Sequence, residues 1–204
     1  MQKEKTKERR TIEKIANWHP YQMALYLAMF GSAALFLFIL VAYFATSDFT
    51  SDALYFSRYF SFSTAILLLS SYPVSKLSQF FEKEKKGRLL KALVSIMLFG
   101  ILFVMLQIFG WYDMKKAGLI SIMLRHNDFL YVLSGLHFIH LAALIIVTLY
   151  FTFFYSRKIA DPVKSLILFT NPYQKLKLQL LSQSWFFLHF VWVVIFMCFL
   201  IALS

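Results

Sequence analysis

The sequence predicts an all-α integral membrane protein, a bundle of five transmembrane helices in a single domain of residues 1–204. Hydrophobic residues make up 60% of the chain and charged residues only 15%, too few to cover the surface of a soluble fold. Five long stretches have no charged residue in their middles. A hydrocarbon core about 30 Å thick requires about 20 such residues in a helix. The alternation typical of barrel strands is absent, so these stretches are predicted to cross as helices.

A polar lead of residues 1–19 precedes the first predicted helix. Arg58 and Lys76 bracket the second stretch, whose apolar part is the shortest, and both side chains can extend it by snorkelling. We expect all five helices to run without an interior proline, and we expect a short helix at the membrane surface between Asp161 and Pro172. The predicted transmembrane helices cover residues 21–46, 57–79, 89–112, 127–156 and 177–203.

The distribution of basic residues predicts the orientation of the bundle. The net charge is +11, and 17 of the 21 Lys and Arg residues lie in the lead and in the connections 76–91 and 157–177. Because Lys and Arg beside transmembrane helices stay on the cytoplasmic side, the N-terminus is predicted to be cytoplasmic and the C-terminus periplasmic. Since these charges flank apolar helices and form no folded basic domain, we expect no nucleic-acid partner.

Small and polar residues mark the faces on which the predicted helices contact each other, because such side chains favour close helix packing in lipid. On the second helix, five hydroxyl residues fall within a sector of about 80°, and we expect this face to pack on another helix. They are Ser57, Ser61, Thr64, Ser71 and Ser75. The later helices carry polar residues that include Gln107, Trp111, Ser134, His137, His140, Ser182, Trp185, His189 and Trp192.

The histidines within the predicted helices raise the question of haem binding. His137 and His140 lie three residues apart on one helix, so they cannot hold one iron from its two sides. His189 on the last helix can pair with either of them, which leaves one site of this kind open. The interpretation that we favour is that each imidazole forms hydrogen bonds with a neighbouring helix. No zinc-binding histidine pair, Gly-rich phosphate loop or second cysteine is present, so we predict no catalytic, cofactor-binding or metal-binding residue in this chain.

Each of the five predicted helices contains or follows a short segment that matters when the five are considered together. They are Trp18-His19-Pro20-Tyr21, then Phe62-Ser63-Thr64-Ala65 with Leu69-Ser70-Ser71, then Gln107-Ile108-Phe109-Gly110-Trp111-Tyr112, then Ser134-Gly135-Leu136-His137-Phe138-Ile139-His140, and finally His189-Phe190-Val191. Taken in this order, they resemble subunit III of the haem-copper oxidases, the cytochrome c oxidase type. The chain departs from that family at Gly110, where many members carry Glu, and at Leu188, where Trp is usual.

The resemblance implies the short, five-helix bacterial form of subunit III in the bacterial inner membrane. Such a subunit is not an enzyme by itself, and haem and copper are expected in its partner subunits. It packs on subunit I of a complex that also contains subunit II, binds membrane phospholipids, and supports proton uptake and stability during oxygen reduction. A larger respiratory supercomplex is a further partner to consider. The residues expected for helix packing or for docking of lipid or subunit are Gln107, Trp111, Ser134, Gly135, His137, His140 and His189.

Three other functions stay open at this point. One is the accessory five-helix subunit of a nitric oxide reductase, which shares this form. Another is a haem b membrane anchor of a respiratory dehydrogenase, which requires axial histidines on separate helices. A transporter is disfavoured because ion and substrate pathways normally carry charged groups at mid-depth, and none is predicted here.

Overall fold

The computed structural model describes residues 19–46, 57–116 and 126–203 of the chain. These residues form six helices and no strand, so the all-α prediction is confirmed for them. The helices are α1 (Pro20–Thr46), α2 (Arg58–Glu82), α3 (Lys86–Lys116), α4 (His126–Ala160), α5 (Pro162–Thr170) and α6 (Pro172–Leu203). Residues 1–18 of the predicted polar lead, with Trp18, lie outside the described residues.

Four of these helices are long and apolar enough to cross a membrane, which indicates a multi-pass membrane protein by length and composition. The candidate spans are Pro20–Ala45, Lys86–Lys116, Tyr131–Ala160 and Pro172–Leu200. α2 covers the second predicted span and is not among the four. Its sequence contains six serines together with Lys76, and these residues lower its mean hydropathy.

α2 has a proline in its interior, Pro73, so the expectation of helices without interior prolines is wrong for α2. Proline has no amide hydrogen, and the carbonyl of Leu69, one turn earlier, therefore loses its usual helical donor. Membrane helices tolerate such positions where neighbouring side chains surround the freed backbone group. The prolines that begin α1, α5 and α6 lie at the first helical position, where the missing amide is not needed.

The chain divides within α1 into two compact units, Met1–Leu35 and Phe36–Ser204. In the first unit, His19 caps the start of α1. Its Nδ1 accepts a hydrogen bond from the amide of Tyr21 (3.3 Å), and the side chain of Gln22 accepts one from the amide of His19 (3.1 Å). Two amides that the helix itself cannot satisfy are thereby paired at the start of an apolar segment.

In the second unit, α2 packs along α3 and α6, α4 packs on α3 and α6, and the short helix α5 lies against α4 and α6. The buried face of α2 has a large apolar residue at every seventh position: Phe60, Leu67, Val74 and Phe81. Between them lie buried Ser63, Thr64, Ser70 and Leu77. This a/d-like spacing is typical of helices that pack side by side over many turns.

The end of α2, the end of α4 and the start of α6 meet at one end of the second unit. Glu82 forms an ion pair with Lys175 (2.8 Å), and the Tyr155 hydroxyl donates to the Gln174 carbonyl (3.2 Å). The predicted short helix is present as α5. Its N-cap, Asp161, accepts hydrogen bonds from the amides of Val163 and Lys164. The hydrogen bond from the Lys164 side chain, followed by the one from its amide, lowers the pKa of Asp161.

Candidate functional site

Polar side chains form a network inside the second unit, where α2, α3, α4 and α6 meet. Most of them are less than a tenth exposed, and nearly all form hydrogen bonds from one helix to another. We call this set the interhelical polar network. It comprises Ser63, Thr64, Ser70, Ser71, Gln107, Trp111, Ser134, His137, Thr148, Trp185, His189 and Trp192.

Each of the three tryptophans in the network donates its indole N–H to a hydroxyl on a neighbouring helix. Trp192 donates to Thr64 on α2 (2.8 Å), and Trp185 donates to Thr148 on α4 (3.0 Å). Trp111 on α3 donates to Ser134 on α4 (2.9 Å). Because an indole is a donor only, a hydroxyl oxygen is a suitable partner for it in an apolar interior.

The hydroxyl groups that accept these hydrogen bonds also donate one each, to a backbone carbonyl of their own helix. Thr64 donates to the Phe60 carbonyl (2.8 Å), Thr148 to the Leu144 carbonyl (2.8 Å), and Ser134 to the Tyr131 carbonyl (3.4 Å). Each hydroxyl therefore accepts across helices and donates along its own helix. Its donor and acceptor capacity are both used without water.

His189 lies between two serines of α2, with its side chain 4% exposed. Nε2 is 3.0 Å from the Ser70 hydroxyl, and Nδ1 is 3.0 Å from the Ser71 hydroxyl. Ser70 already donates its hydrogen to the Leu67 carbonyl (2.6 Å), so it accepts from Nε2–H. Nδ1 is then the acceptor, and Ser71 donates to it. The imidazole is thus held as one neutral tautomer by two neighbouring residues of one helix.

His137 is fully buried on α4 and joins α4 to α6. Its Nε2–H donates to the Leu188 carbonyl (3.2 Å), and its ring contacts Phe103 and Trp192, with centroids 5.5 Å and 5.0 Å away. Nδ1 is the acceptor in this tautomer, and it has no hydrogen-bond partner among the described residues. His137 and His189 therefore pair α6 with two different helices, one through backbone and one through side chains.

Gln107 joins α3 to α2. Its Nε2 donates to the Ser63 hydroxyl (3.1 Å), which in turn donates to the Phe60 carbonyl (2.8 Å). One turn further along α3, Gly110 lies directly on the ring of Phe60, since a Cβ added there would be 3.0 Å from the ring. A small residue and an amide side chain thus allow α3 to approach α2 closely at this depth.

Two of the residues singled out by sequence lie elsewhere. The Nδ1–H of His140 donates to the Leu136 carbonyl of its own helix (2.8 Å), and its ring contacts Phe36 (5.6 Å). Gly135 has nothing within 4 Å of an added Cβ among the described residues. Gly135 is half-buried, and a side chain added there would extend into open space.

The predicted packing face of α2 is wrong in part. Ser61 and Ser75 are exposed, whereas Ser63 and Ser70, which the predicted face left out, are buried and bonded across helices. The small-residue criterion failed because large apolar residues share the buried face with the serines. Thr148 was also missed. The seven-residue spacing of Phe60, Leu67, Val74 and Phe81 is the signal that locates the true face.

Among the described residues, no group of three His, Cys, Asp or Glu side chains is placed to bind a metal ion. The chemistry of the network is that of helix–helix recognition, since its donors and acceptors are neutral and mostly satisfied within the chain. No protein-family model matches the sequence, and no curated protein matches it. The resemblance to subunit III therefore rests on the five segments alone.

Proposed function

We propose that the chain is the non-catalytic subunit III of a respiratory haem-copper terminal oxidase of the cytochrome c oxidase type. In this proposal α2 is a fifth membrane crossing, the N-terminus is cytoplasmic and the C-terminus periplasmic. The protein lies in the bacterial inner membrane, packs on subunit I beside subunit II, and binds phospholipids. Haem and copper belong to the partner subunits, and the complex moves protons while it reduces oxygen.

The state of His189 is the observation that carries this proposal. An axial haem ligand presents one ring nitrogen to iron and uses the other to donate to a second partner. In His189 both nitrogens are engaged by adjacent serines of α2, at 3.0 Å each, and the tautomer fixed by Ser70 puts the hydrogen on Nε2. Binding iron through Nε2 would require that this contact between α2 and α6 be broken. The geometry supports a structural role and disfavours the haem b anchor.

The end of the unit that holds Glu82 and Lys175 supports the proposed orientation. The connections 76–91 and 157–177, which carry 11 basic residues, meet at this end, so one side of the bundle is strongly cationic. Arg157 and Lys158 lie over the rings of Phe153 and Phe154, with 4.0 Å and 5.8 Å between cation and ring centroid. Such stacking lets a basic side chain reach the aqueous boundary along an aromatic surface.

Co-purification tests the proposed function. The chain, tagged at its N-terminus, is extracted from its own membranes in mild detergent, and the complex is separated on a native gel. We expect subunits I and II of a haem-copper oxidase to migrate with it, together with both iron and copper. A partner that contains iron without copper would assign the chain to a nitric oxide reductase. A Soret band in the chain purified alone would overturn the structural role.

Substitution of His137 tests the role of the polar network in assembly. We expect His137→Ala to remove one of the α4–α6 hydrogen bonds and a buried ring, and to lower the yield of assembled oxidase severalfold. The haem spectrum of the oxidase that still assembles should be unchanged, because His137 binds no haem. The matched control is Ser75→Ala, since that exposed hydroxyl donates only to the Tyr72 carbonyl of its own helix (2.8 Å). A shifted haem spectrum in His137→Ala would contradict the assignment.

A further inference from the structure

A groove with a volume of about 530 Å³ runs between α2 and α3 at the surface of the second unit. It shares no residue with the interhelical polar network. Its α3 wall consists of Arg88, Lys91, Ala92, Ser95 and Phe99, and its α2 wall is apolar apart from the hydroxyl of Tyr72. Leu69 and Tyr72 on the rim are 62% and 70% exposed, so the groove is open toward the surroundings of the bundle.

The groove exists because small side chains and a proline stand where two helices would otherwise close on each other. Ala92 and Ser95 leave space on α3, and Ser95 turns its hydroxyl back to the Lys91 carbonyl (2.8 Å). Pro73 on α2 cannot donate to the backbone one turn earlier and adds only a compact ring to the wall. The space between the two helices is therefore lined mainly by apolar side chains.

Charge is confined to one end of the groove. Arg88 is the third residue of α3 and Lys91 lies one turn further, while none of the lining residues is acidic. Among the described residues, Glu82 forms its ion pair with Lys175 (2.8 Å), and Glu84, four residues before Arg88 in the α2–α3 turn, is exposed and forms no ion pair. Neither Arg88 nor Lys91 forms an ion pair among the described residues, so both cations are available to an anionic group at this end of the groove.

The length of the channel fits a hydrocarbon chain. Phe99 is eleven residues beyond Arg88, which corresponds to about 16 Å along the axis of α3. Because α3 is a candidate span, the cationic end lies at the boundary of the apolar segment and the other end lies well inside it. Polar and apolar parts therefore follow one another in the order in which a phospholipid presents its headgroup and its tail.

We propose that this groove binds an anionic phospholipid. The headgroup phosphate contacts Arg88 and Lys91, and one acyl chain lies along Ala92, Ser95 and Phe99. The site rests on the proposed crossing of α2 beside α3, and it does not depend on the identity of the complex. A partner helix fits the groove less well, since it would bury both cations without a counter-charge, whereas a lipid phosphate pairs them at the water boundary.

Native mass spectrometry of the full-length chain in detergent tests the proposal. The probe is phosphatidylglycerol, titrated into the protein, with phosphatidylcholine in parallel. The charge variant carries Arg88→Gln and Lys91→Gln. Its matched control carries Lys83→Gln and Lys85→Gln, which remove the same charge from the adjoining α2–α3 turn, where both side chains are exposed. A third variant, Ser95→Phe, fills the groove and keeps both cations.

We expect the wild-type chain and the turn control to retain phosphatidylglycerol in preference to phosphatidylcholine. The charge variant should bind phosphatidylglycerol at least about tenfold more weakly, because each cation near the membrane surface raises the affinity by about fivefold. Ser95→Phe should also lose the lipid, while inorganic phosphate added to any variant should not compete. The thermal unfolding midpoint of each variant verifies that it is folded.

Three results would overturn the proposal. If the charge variant and the turn control lose phosphatidylglycerol binding to the same extent, only the general surface charge attracts the lipid. Undiminished lipid retention by Ser95→Phe would mean that no acyl chain occupies the groove. Equal retention of phosphatidylcholine and phosphatidylglycerol by the wild-type chain would remove the role of Arg88 and Lys91.

Discussion

α2 and α3 are adjacent helices that pack on their neighbours in different ways. α3 is a candidate membrane span by its own composition, and it approaches its neighbours closely at Gly100 and Gly110. α2 is not such a candidate, and it contacts its neighbours through hydroxyls that are bonded to α3 and α6. Of these two helices, the less apolar one thus forms more hydrogen bonds to its neighbours.

This difference shows why hydropathy undervalues α2. A hydropathy scale treats each helix as if it entered the membrane alone, and it assigns a penalty to every serine and threonine. In the folded chain the buried hydroxyls of α2 accept from Gln107, Trp192 or His189 and donate to carbonyls of their own helix. The polar groups are satisfied by neighbours that the scale does not consider.

The largest effect expected from this comparison concerns insertion. We expect isolated α2 to insert less favourably than isolated α3, by on the order of 2 kcal/mol or more, because its serines and Lys76 have no partners there. A glycosylation-reporter assay in microsomes measures the inserted fraction for α2, for α3 and for the pair joined by its native turn. When α2 is joined to α3, its inserted fraction should rise above that of α2 alone. The comparison fails if α2 alone inserts as well as α3.

Overpacking of α3 should have the next largest effect. A Cβ at Gly100 would be 2.9 Å from Trp185 and 3.1 Å from Ile145, so Gly100→Leu forces α3 away from α6 and α4. We expect a loss of about 2 to 3 kcal/mol in unfolding free energy, measured by steric trapping in bicelles. The matched control is Gly135→Leu, because Gly135 has no neighbour within 4 Å of an added Cβ among the described residues.

The same control separates packing from docking. If Gly135 belongs to a surface that contacts subunit I, Gly135→Leu should leave the unfolding free energy of the isolated chain within about 0.5 kcal/mol and still reduce co-purification of subunit I. Destabilisation of the isolated chain by Gly135→Leu, equal to that of Gly100→Leu, would contradict the structure around Gly135.

The serine pair on α2 should contribute less than the packing of α3. Ser70→Ala combined with Ser71→Ala removes both partners of His189 and leaves a buried imidazole unpaired. We expect a loss of about 1 kcal/mol, since interhelical hydrogen bonds in membranes contribute about 0.6 kcal/mol each. Steric trapping measures it against Ser75→Ala, whose hydroxyl donates only to the Tyr72 carbonyl. If both variants lose the same unfolding free energy, the hydroxyls bonded to His189 do not stabilise α2 more than an exposed hydroxyl does.

The sequence predicted the helices well because their ends carry local signals. Charge-free stretches gave the cores of all five long helices, and the prolines at 162 and 172 gave the bounds of α5. His19, Pro20 and Gln22 at the start of α1 act within one turn, so their effect is independent of the rest of the fold. Such features require no knowledge of which helices are neighbours.

The partners within the network could not be predicted in the same way. Ser63, Ser70 and Thr148 have ordinary hydroxyls, and only the positions of Gln107, His189 and Trp185 on other helices make them contacts. Hydrogen-bonding capacity is visible in a sequence, but the rotation of a helix about its axis is set by packing over its whole length. The rotation of α2 follows Phe60, Leu67 and Val74, which fill the core, and the serines take the positions that remain.

The smallest expected effect is the coupling free energy of a single hydrogen bond in the network. Trp192→Phe and Thr64→Val each remove one partner of the 2.8 Å indole–hydroxyl bond between α6 and α2. Trp192→Phe also removes buried volume, but that loss occurs in both arms of the cycle and cancels in the coupling energy. A double-mutant cycle by steric trapping should give a coupling of about 0.6 kcal/mol. The cycle of Trp192→Phe with Ser75→Ala should give none, because Ser75 is exposed. Zero coupling in both cycles would mean that α2 is held by its apolar face alone, and that its hydroxyls are tolerated without stabilising the bundle.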